Sequence, residues 1–382
     1  MEIKVKAAVF RSLRLNRSFD IERLSRDTGI AVDELEQYDQ QDSSIDMVTL
    51  EKLAKAYKKR WTIFLLQVPE QAPKHGNDNR SRHNRTEVLD IDLLNALDAA
   101  EYIIESGAEL ASGSGVELPN PTADLSRNPE LFAQQFREGL KPNEVKLQSL
   151  TDDFGPLRFW KDLLTERGLY ISEMGWETKS VRAFSIIKKS RAIIVLSTKE
   201  EPQPRLFSLL HELCHVIHKQ SGICDLHDDA DDVEALCNRF AAAFLMPENK
   251  FRQAANELGV LVGSMPSGEQ VKRLRKLFGV SRLAAYRRLH TLGYISKQQY
   301  ETIQGEYSDD YEKPEEHKKK SKGGDYYRNK LANNSKRFTV EAFDAYADGR
   351  IGSRTLSRML GISVKNLQEF KTRVGNGSGI AL

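Results

Sequence analysis

The sequence predicts an α+β chain that is mostly α. It has an N-terminal helical domain of helix-turn-helix type, a central domain with a small three-stranded sheet, and C-terminal helical modules of helix-turn-helix type. Three observations predict this. Along most of the chain apolar residues recur three and four places apart, the period of an amphipathic helix. Strand-like runs are confined to Gly168-Leu-Tyr-Ile171, Ala183-Phe-Ser-Ile186 and Ala192-Ile-Ile-Val-Leu196. A leucine followed five places later by Gly and an apolar residue occurs at Leu24, Leu274 and Leu356.

Residues 1–70 form the first domain, an apolar-periodic helical unit ending in Trp61-Thr-Ile-Phe-Leu-Leu66, and the polar stretch 71–89 reads as a linker. The central domain, 90–250, opens with a helix from Asp90 to Gly107. A Gly/Ser/Pro segment at 112–122 breaks the pattern. Helices resume near Pro129 and lead through a helix at Phe159–Arg167 into the three strands. Residues 251–305 read as further helices, 306–337 as a charged linker with Lys318-Lys-Lys-Ser-Lys322, and 338–376 as a last helical module.

The three Leu/Gly repeats share a helix-turn-helix grammar. Gly turns the chain, and an apolar or small residue six places on (Leu35, Ala285, Leu367) anchors the second helix. A small residue is needed four places before the Gly, where the helices approach. Ser25 and Ser357 satisfy this, but Arg275 does not. The middle copy is therefore expected to support the central domain.

Lys plus Arg number 57 and Asp plus Glu 55, a formal +2, so overall charge demands no nucleic-acid partner. No apolar run approaches the ~18 residues of a spanning helix. Without a signal-type N-terminus the expected location is the cytoplasm, with no membrane partner. The three cysteines, Cys214, Cys224 and Cys237, cannot all pair with one another, which fits a reducing compartment. Cys214 and Cys237 lie near helix stripes and read as small buried apolar residues.

His211-Glu-Leu-Cys-His215 is the most informative pentapeptide. Two histidines four apart on a helix point the same way, so both rings can reach one Zn²⁺. Glu212 is turned to the side, where it can take a proton from the attacking water. On a helix from Arg205 to Lys219, Leu206, Leu209, Leu210, Leu213 and Ile217 form the apolar stripe, and the histidines share a different face. The next helix, from the acidic run 228–232 to Met246, has the stripe Val233, Leu236, Cys237, Phe240 and Phe244. Glu234 and Asn238 sit on its flank. If the two helices pack as a hairpin, His211, His215 and Glu234 are the metal ligands, Glu212 the general base, and Asn238 a supporting partner. Asp225 and Asp228 rank second as third ligand. His218 and His227 are weaker candidates, since Ser221 stands where a third histidine of an extended His-Glu-x-x-His motif would fall.

Phe207-Ser-Leu-Leu-His-Glu-Leu-Cys-His215, followed by Glu234-Ala-Leu-Cys-Asn-Arg-Phe-Ala-Ala-Ala-Phe-Leu-Met-Pro247, resembles the ImmA/IrrE family of zinc endopeptidases. The three short strands resemble those that precede that family's metal helix. Cys214 stands where the family commonly has a small residue, and Ala183 where it usually has Gly. The resemblance implies a zincin-like peptidase domain holding Zn²⁺, whose protein substrate is a repressor or another helix-turn-helix regulator, so that cleavage switches on genes in a stress-response or toxin–antitoxin setting.

The N-terminal domain resembles the XRE/Cro type, with Thr49–Ala56 as its fourth helix. Its second motif helix carries Asp33, Glu34, Glu36 and Asp39, which a phosphate-lined groove repels, leaving Gln37 as the only good base reader. Dimerisation through this domain, or docking of a repressor, is an equal expectation. The C-terminal copy offers Lys365, Asn366, Gln368, Lys371 and Arg373 as DNA contacts. The competing reading is a DNA-binding regulator or antitoxin-like protein whose metal site is structural or vestigial, and a third is a scaffold that sequesters its partner.

Overall fold

The structure, a computed structural model, describes residues 2–16, 19–57, 61–65, 91–110, 115–150, 152–177, 181–220, 230–311 and 325–378. Helices dominate it, and the strands form two small sheets, as expected of an α+β, mostly α chain. Contacts divide the chain into two units, Met1–Ala99 with Gly175–Ser180, and Ala100–Met174 with Val181–Leu382. The stretch read as a linker at 71–89 lies outside the described residues, as do Cys224, Asp225, His227 and Asp228.

In the first unit the order is β1 (Glu2–Val5), α1 (Ala7–Asn16), α2 (Ile21–Thr28), α3 (Val32–Gln40), β2 (Ser43–Asp46) and α4 (Met47–Ala56), then a 3₁₀ turn at Trp61–Leu65. Local chemistry sets the boundaries. Asp20 caps α2 by accepting from the Arg23 N–H, and Gly29 ends it at φ 71°, a left-handed conformation that costs glycine little. Ser25 Oγ donates to the Ile30 carbonyl at 2.6 Å and ties the turn to the chain beyond it. Leu24, Leu35, Leu50, Leu53 and Tyr57 close the core. The purely helical reading of 1–70 requires one correction: β1 and β2 pair antiparallel, Ile3 opposite Ile45. Each strand has only four residues, and their partnership spans some forty residues of chain, beyond the reach of local periodicity.

α5 (Ile91–Leu110) precedes α6 (Pro129–Leu140), α7 (Glu144–Gln148) and α8 (Gly155–Glu166). The sheet of the second unit follows: β3 (Tyr170–Met174), β4 (Ala183–Lys188) and β5 (Arg191–Ser197), in the order β3-β5-β4. β5 is central and fully buried, parallel to β3 and antiparallel to β4, so its run Ala192–Leu196 is continuously apolar rather than alternating. Next come α9 (Pro202–Gln220), α10 (Ala230–Leu245), α11 (Glu248–Glu257), α12 (Gly268–Phe278), α13 (Arg282–Thr291) and α14 (Lys297–Tyr311). α15 (Tyr326–Asn334), α16 (Lys336–Ala347), α17 (Ser353–Leu360), a 3₁₀ turn at Val364–Asn366 and α18 (Leu367–Ser378) complete the chain. Helices thus enter both flanks of the span 306–337 that reads as linker, with α14 running to Tyr311 and α15 opening at Tyr326. The sequence of α15 has no strong apolar stripe. The helix is held instead by packing on β3 and by Tyr327, whose ring lies tilted against Phe370 with centres 5.9 Å apart.

α9 packs on β4 and β5, and α10 packs on α9 and α6. An aromatic cluster fills the junction, with Trp160 against Phe244 at 4.7 Å and Phe136 against Phe240 at 5.8 Å between ring centres. Burying each such side chain contributes about 1.5–3 kcal/mol. Two buried arginines take carbonyls at the end of α10: Arg137 donates to Phe244 O at 2.7 Å, and Arg288 to Met246 O at 2.9 Å. The hairpin carrying the two metal-motif helices is therefore fixed from within.

Candidate metal centre and active site

α9 opens at Pro202, where a missing N–H costs nothing, and its stripe Leu206, Leu209, Leu210, Leu213 and Ile217 is buried. The opposite flank presents His211 and His215. α10 sets Cys237, Phe240 and Phe244 into the same core, which turns Glu234 and Asn238 towards the histidines.

The expected convergence is present. His211 Nε2 lies 3.1 Å from His215 Nε2 and 3.0 Å from Glu234 Oε2, and His215 Nε2 lies 3.3 Å from Glu234 Oε1. Among the described residues these three form the group that could hold a metal ion. Donors about 2.0–2.1 Å from a tetrahedral ion sit roughly 3.3 Å from one another, so the spacing fits a small divalent cation. The electrostatics agree. Hydrogen bonds from His211 and His215 hold the Glu234 carboxyl well below the usual carboxylate range. Burial works against charge on His215, yet its hydrogen bonds with Cys237 and Glu234 and the nearby Glu212 raise its pKa. The triad is a place that favours one positive charge.

The supporting contacts are specific. Asn238 Oδ1 is 3.1 Å from His211 Nδ1, and accepting its proton leaves the Nε2 lone pair for the cation. Ser185 Oγ, on β4, donates to Glu212 Oε2 at 2.8 Å. Reading the sequence does not single out Ser185 as functional. The only signal it offers is a hydroxyl inside an otherwise apolar strand, and the structure shows that residue to be 5 % exposed. Cys214 and Cys237 are fully buried and in no disulfide, but Cys237 also hydrogen-bonds His215 and Cys214, a polar contact that a small apolar residue would not make. His218 is buried and stands outside the triad.

The expected DNA contacts are not part of this constellation. Gln37 is exposed on α3. Lys365 and Gln368 are exposed in the C-terminal module and Asn366 is half-buried, while Lys371 lies over the Phe343 ring at 5.9 Å.

Residues 164–290 match the family model of the IrrE N-terminal-like domain, peptidase family M78. The match makes this segment similar to peptidase domains of the ImmA/IrrE type. It spans β3 to β5, both metal-motif helices and α11 to nearly the end of α13, and so encloses the whole triad. Peptidases of the M78 family are generally metal-dependent, in keeping with the donor set found. No curated protein matches the chain. An M78 peptidase domain implies a protein substrate, and among the described residues no helix is long and apolar enough to cross a membrane.

Proposed function

We propose that the protein is a cytoplasmic zinc endopeptidase that cleaves a DNA-binding repressor or antitoxin-type regulator and thereby controls transcription. The observation that carries the reading is the His211, His215, Glu234 triad beside Glu212, inside a segment matched to a peptidase family. The choice of a regulator as substrate is supported by the ImmA/IrrE likeness of that segment. Zn²⁺ at the triad would supply Lewis acidity, polarising the scissile carbonyl and acidifying the attacking water. Glu212 can take that water's proton and pass it to the leaving amine. Because Ser185 engages Oε2 of Glu212, the other oxygen is left to face the water.

The sheet supports one substrate path over another. The outer edge of β3 is covered, since the Ile171 N–H donates to Ser335 Oγ at 3.1 Å. β4 ends the sheet on the side of α9, and no described strand pairs with its outer edge. A peptide added there as an extended strand would run beside the strand that bears Ser185.

The test compares wild type with Glu212→Gln on purified helix-turn-helix regulators in the presence of Zn²⁺, reading cleavage products by mass spectrometry. Removing the general base should slow cleavage by about 100- to 10,000-fold while leaving bound metal unchanged. Equal cleavage by both proteins would remove Glu212 from the reaction, and no cleavage of any regulator by wild type would remove the proposed substrate class.

A further inference from the structure

The three glycine turns alike in spacing are also alike in backbone. Gly29, Gly279 and Gly361 adopt φ of 71°, 65° and 61°. In the first and third copies a serine makes the same contact, Ser25 to Ile30 O and Ser357 to Ile362 O, each at 2.6 Å. In charge, however, the copies differ. The exposed face of α3 carries Asp33, Glu34 and Glu36 and no cation. In the third copy Lys371 covers Phe343, and Arg373 pairs with Glu369 at 3.0 Å and Asp325 at 3.5 Å, so two of its cations are engaged within the module.

The middle copy, α12 and α13, turns its cations outward. Lys272, Arg273, Lys276, Arg282 and Arg287 are exposed and Arg275 is half-buried, against one acid, Glu269. Arg288 is buried and committed to Glu130. In a chain whose formal charge is only +2, this is a strong local excess. Glu269 lies 3.7 Å from both Lys272 and Arg273, loose surface pairs that offset little of it. Folding stability does not call for the arrangement. Lys272 and Lys276 stand four apart and repel. A partner that brings repeated negative charge would relieve that repulsion.

Beside the pair lies a cavity of about 410 Å³, lined on one side by Lys272, Arg275, Lys276 and Arg282. Asp152 and Asp153 line it as well: Asp152 is paired with Arg158 at 2.8 Å, whereas Asp153 takes the neutral Gln203 amide at 2.9 Å and keeps its charge. The cations continue past this cavity to Arg273 and Arg287, over two helices, which suits a line of phosphates better than one small anion. The inner face of the pair is already occupied, with Gly279 backed against Pro156 so closely that a Cβ would fall 2.8 Å from its ring.

We propose that the outer face of α12 and α13 binds the phosphate backbone of double-stranded DNA, without reading base sequence, and so brings the peptidase to DNA-bound protein. The site lies apart from the triad chemistry, and its test is independent of cleavage.

Fluorescence anisotropy of the full, zinc-loaded chain with a mixed-sequence duplex, titrated across salt, reads it directly. Wild type should bind at low salt with a log–log slope of about −3 to −4, one phosphate for each of Lys272, Arg273, Lys276 and Arg287. The triple variant Lys272→Glu, Arg273→Glu, Lys276→Glu should bind at least about tenfold more weakly and flatten the slope by about 3. A reversal of Lys52 and Lys55 on α4 should change neither, and Glu212→Gln should bind as wild type does. Arg287→Glu alone, on the second helix, should flatten the slope by about 1 and serves if the triple variant fails a thermal melt. Absence of binding by wild type, wild-type affinity in the triple variant and in Arg287→Glu, or equal loss in the α4 control would overturn the proposal.

Discussion

Ser185 and Glu212 are 27 positions apart in the chain and 2.8 Å apart in space. A hydrogen bond to a charged acceptor is worth about 1.5–3 kcal/mol. Ser185→Ala should therefore lower kcat by roughly 10- to 100-fold through loss of carboxylate positioning. KM and bound metal should stay unchanged, and Ser185→Thr, which keeps the hydroxyl, should recover most of the loss. A parallel drop in metal content would instead assign Ser185 a merely structural role. Asn238→Ala tests the other supporting contact: without its acceptor His211 loses its fixed tautomer, and metal affinity should fall about 10- to 100-fold in competition with a coloured chelator. The ligands themselves are legible in sequence because a four-residue spacing on one helix is a local property. Glu234 is legible because its own helix announces which face is buried. Ser185 is not, since its contact depends on the register of a strand against a helix, and nothing within a few residues encodes that.

At the scale of elements, α10 is the member on which the site depends. Its last carbonyls are held by two buried guanidinium groups, and Arg288 also meets Glu130 through two hydrogen bonds. Arg288→Met leaves the carboxylate and the Met246 carbonyl without their donor and should cost about 3 kcal/mol, the low end for a broken buried pair because Glu130 keeps contact with water. Thermal unfolding measures it, and an unchanged melting temperature would contradict the clamp. Glu173 ties three other elements, β3 to Lys161 of α8 and Arg205 of α9. Burial opposes its charge, but the two cations outweigh burial and hold its carboxyl below the usual range. Its stabilisation is therefore complete above the ordinary carboxylate pKa, near 4.3, and is lost as pH falls through the lower folded value. In urea unfolding Glu173→Gln should be less stable than wild type at neutral pH, with the gap closing in acid; a gap independent of pH would refute the linkage. The amphipathic helices of this region are legible from their stripes to within a few residues. α15 is not, because its order comes from packing on β3 and from Tyr327 meeting α18, both distant in sequence, rather than from a stripe of its own.

Across the second unit as a whole, the C-terminal module serves as a wall of the central sheet. Ser335, between α15 and α16, takes φ 63°, rare for a residue with a side chain, and sets its hydroxyl on the Ile171 N–H at the outer edge of β3. Six residues on, Glu341 receives the Tyr170 hydroxyl, Arg337 at 3.0 Å and the buried Arg191 at 3.4 Å. The charges of 338–376 suggest a detachable DNA-reading module, and these contacts argue for a fixed one. Deleting residues 325–382 separates the two views. A detachable module would leave a peptidase domain with an unchanged melting temperature and a monomeric elution profile. A wall would leave Arg191 without its carboxylate and β3 with an open edge, a template for pairing with another chain. We expect the second outcome, a melting temperature lowered by several degrees and concentration-dependent assembly on size-exclusion chromatography. Glu341→Gln in the full chain should reproduce the loss of stability without the assembly, because the Ser335 hydroxyl would still cover the strand.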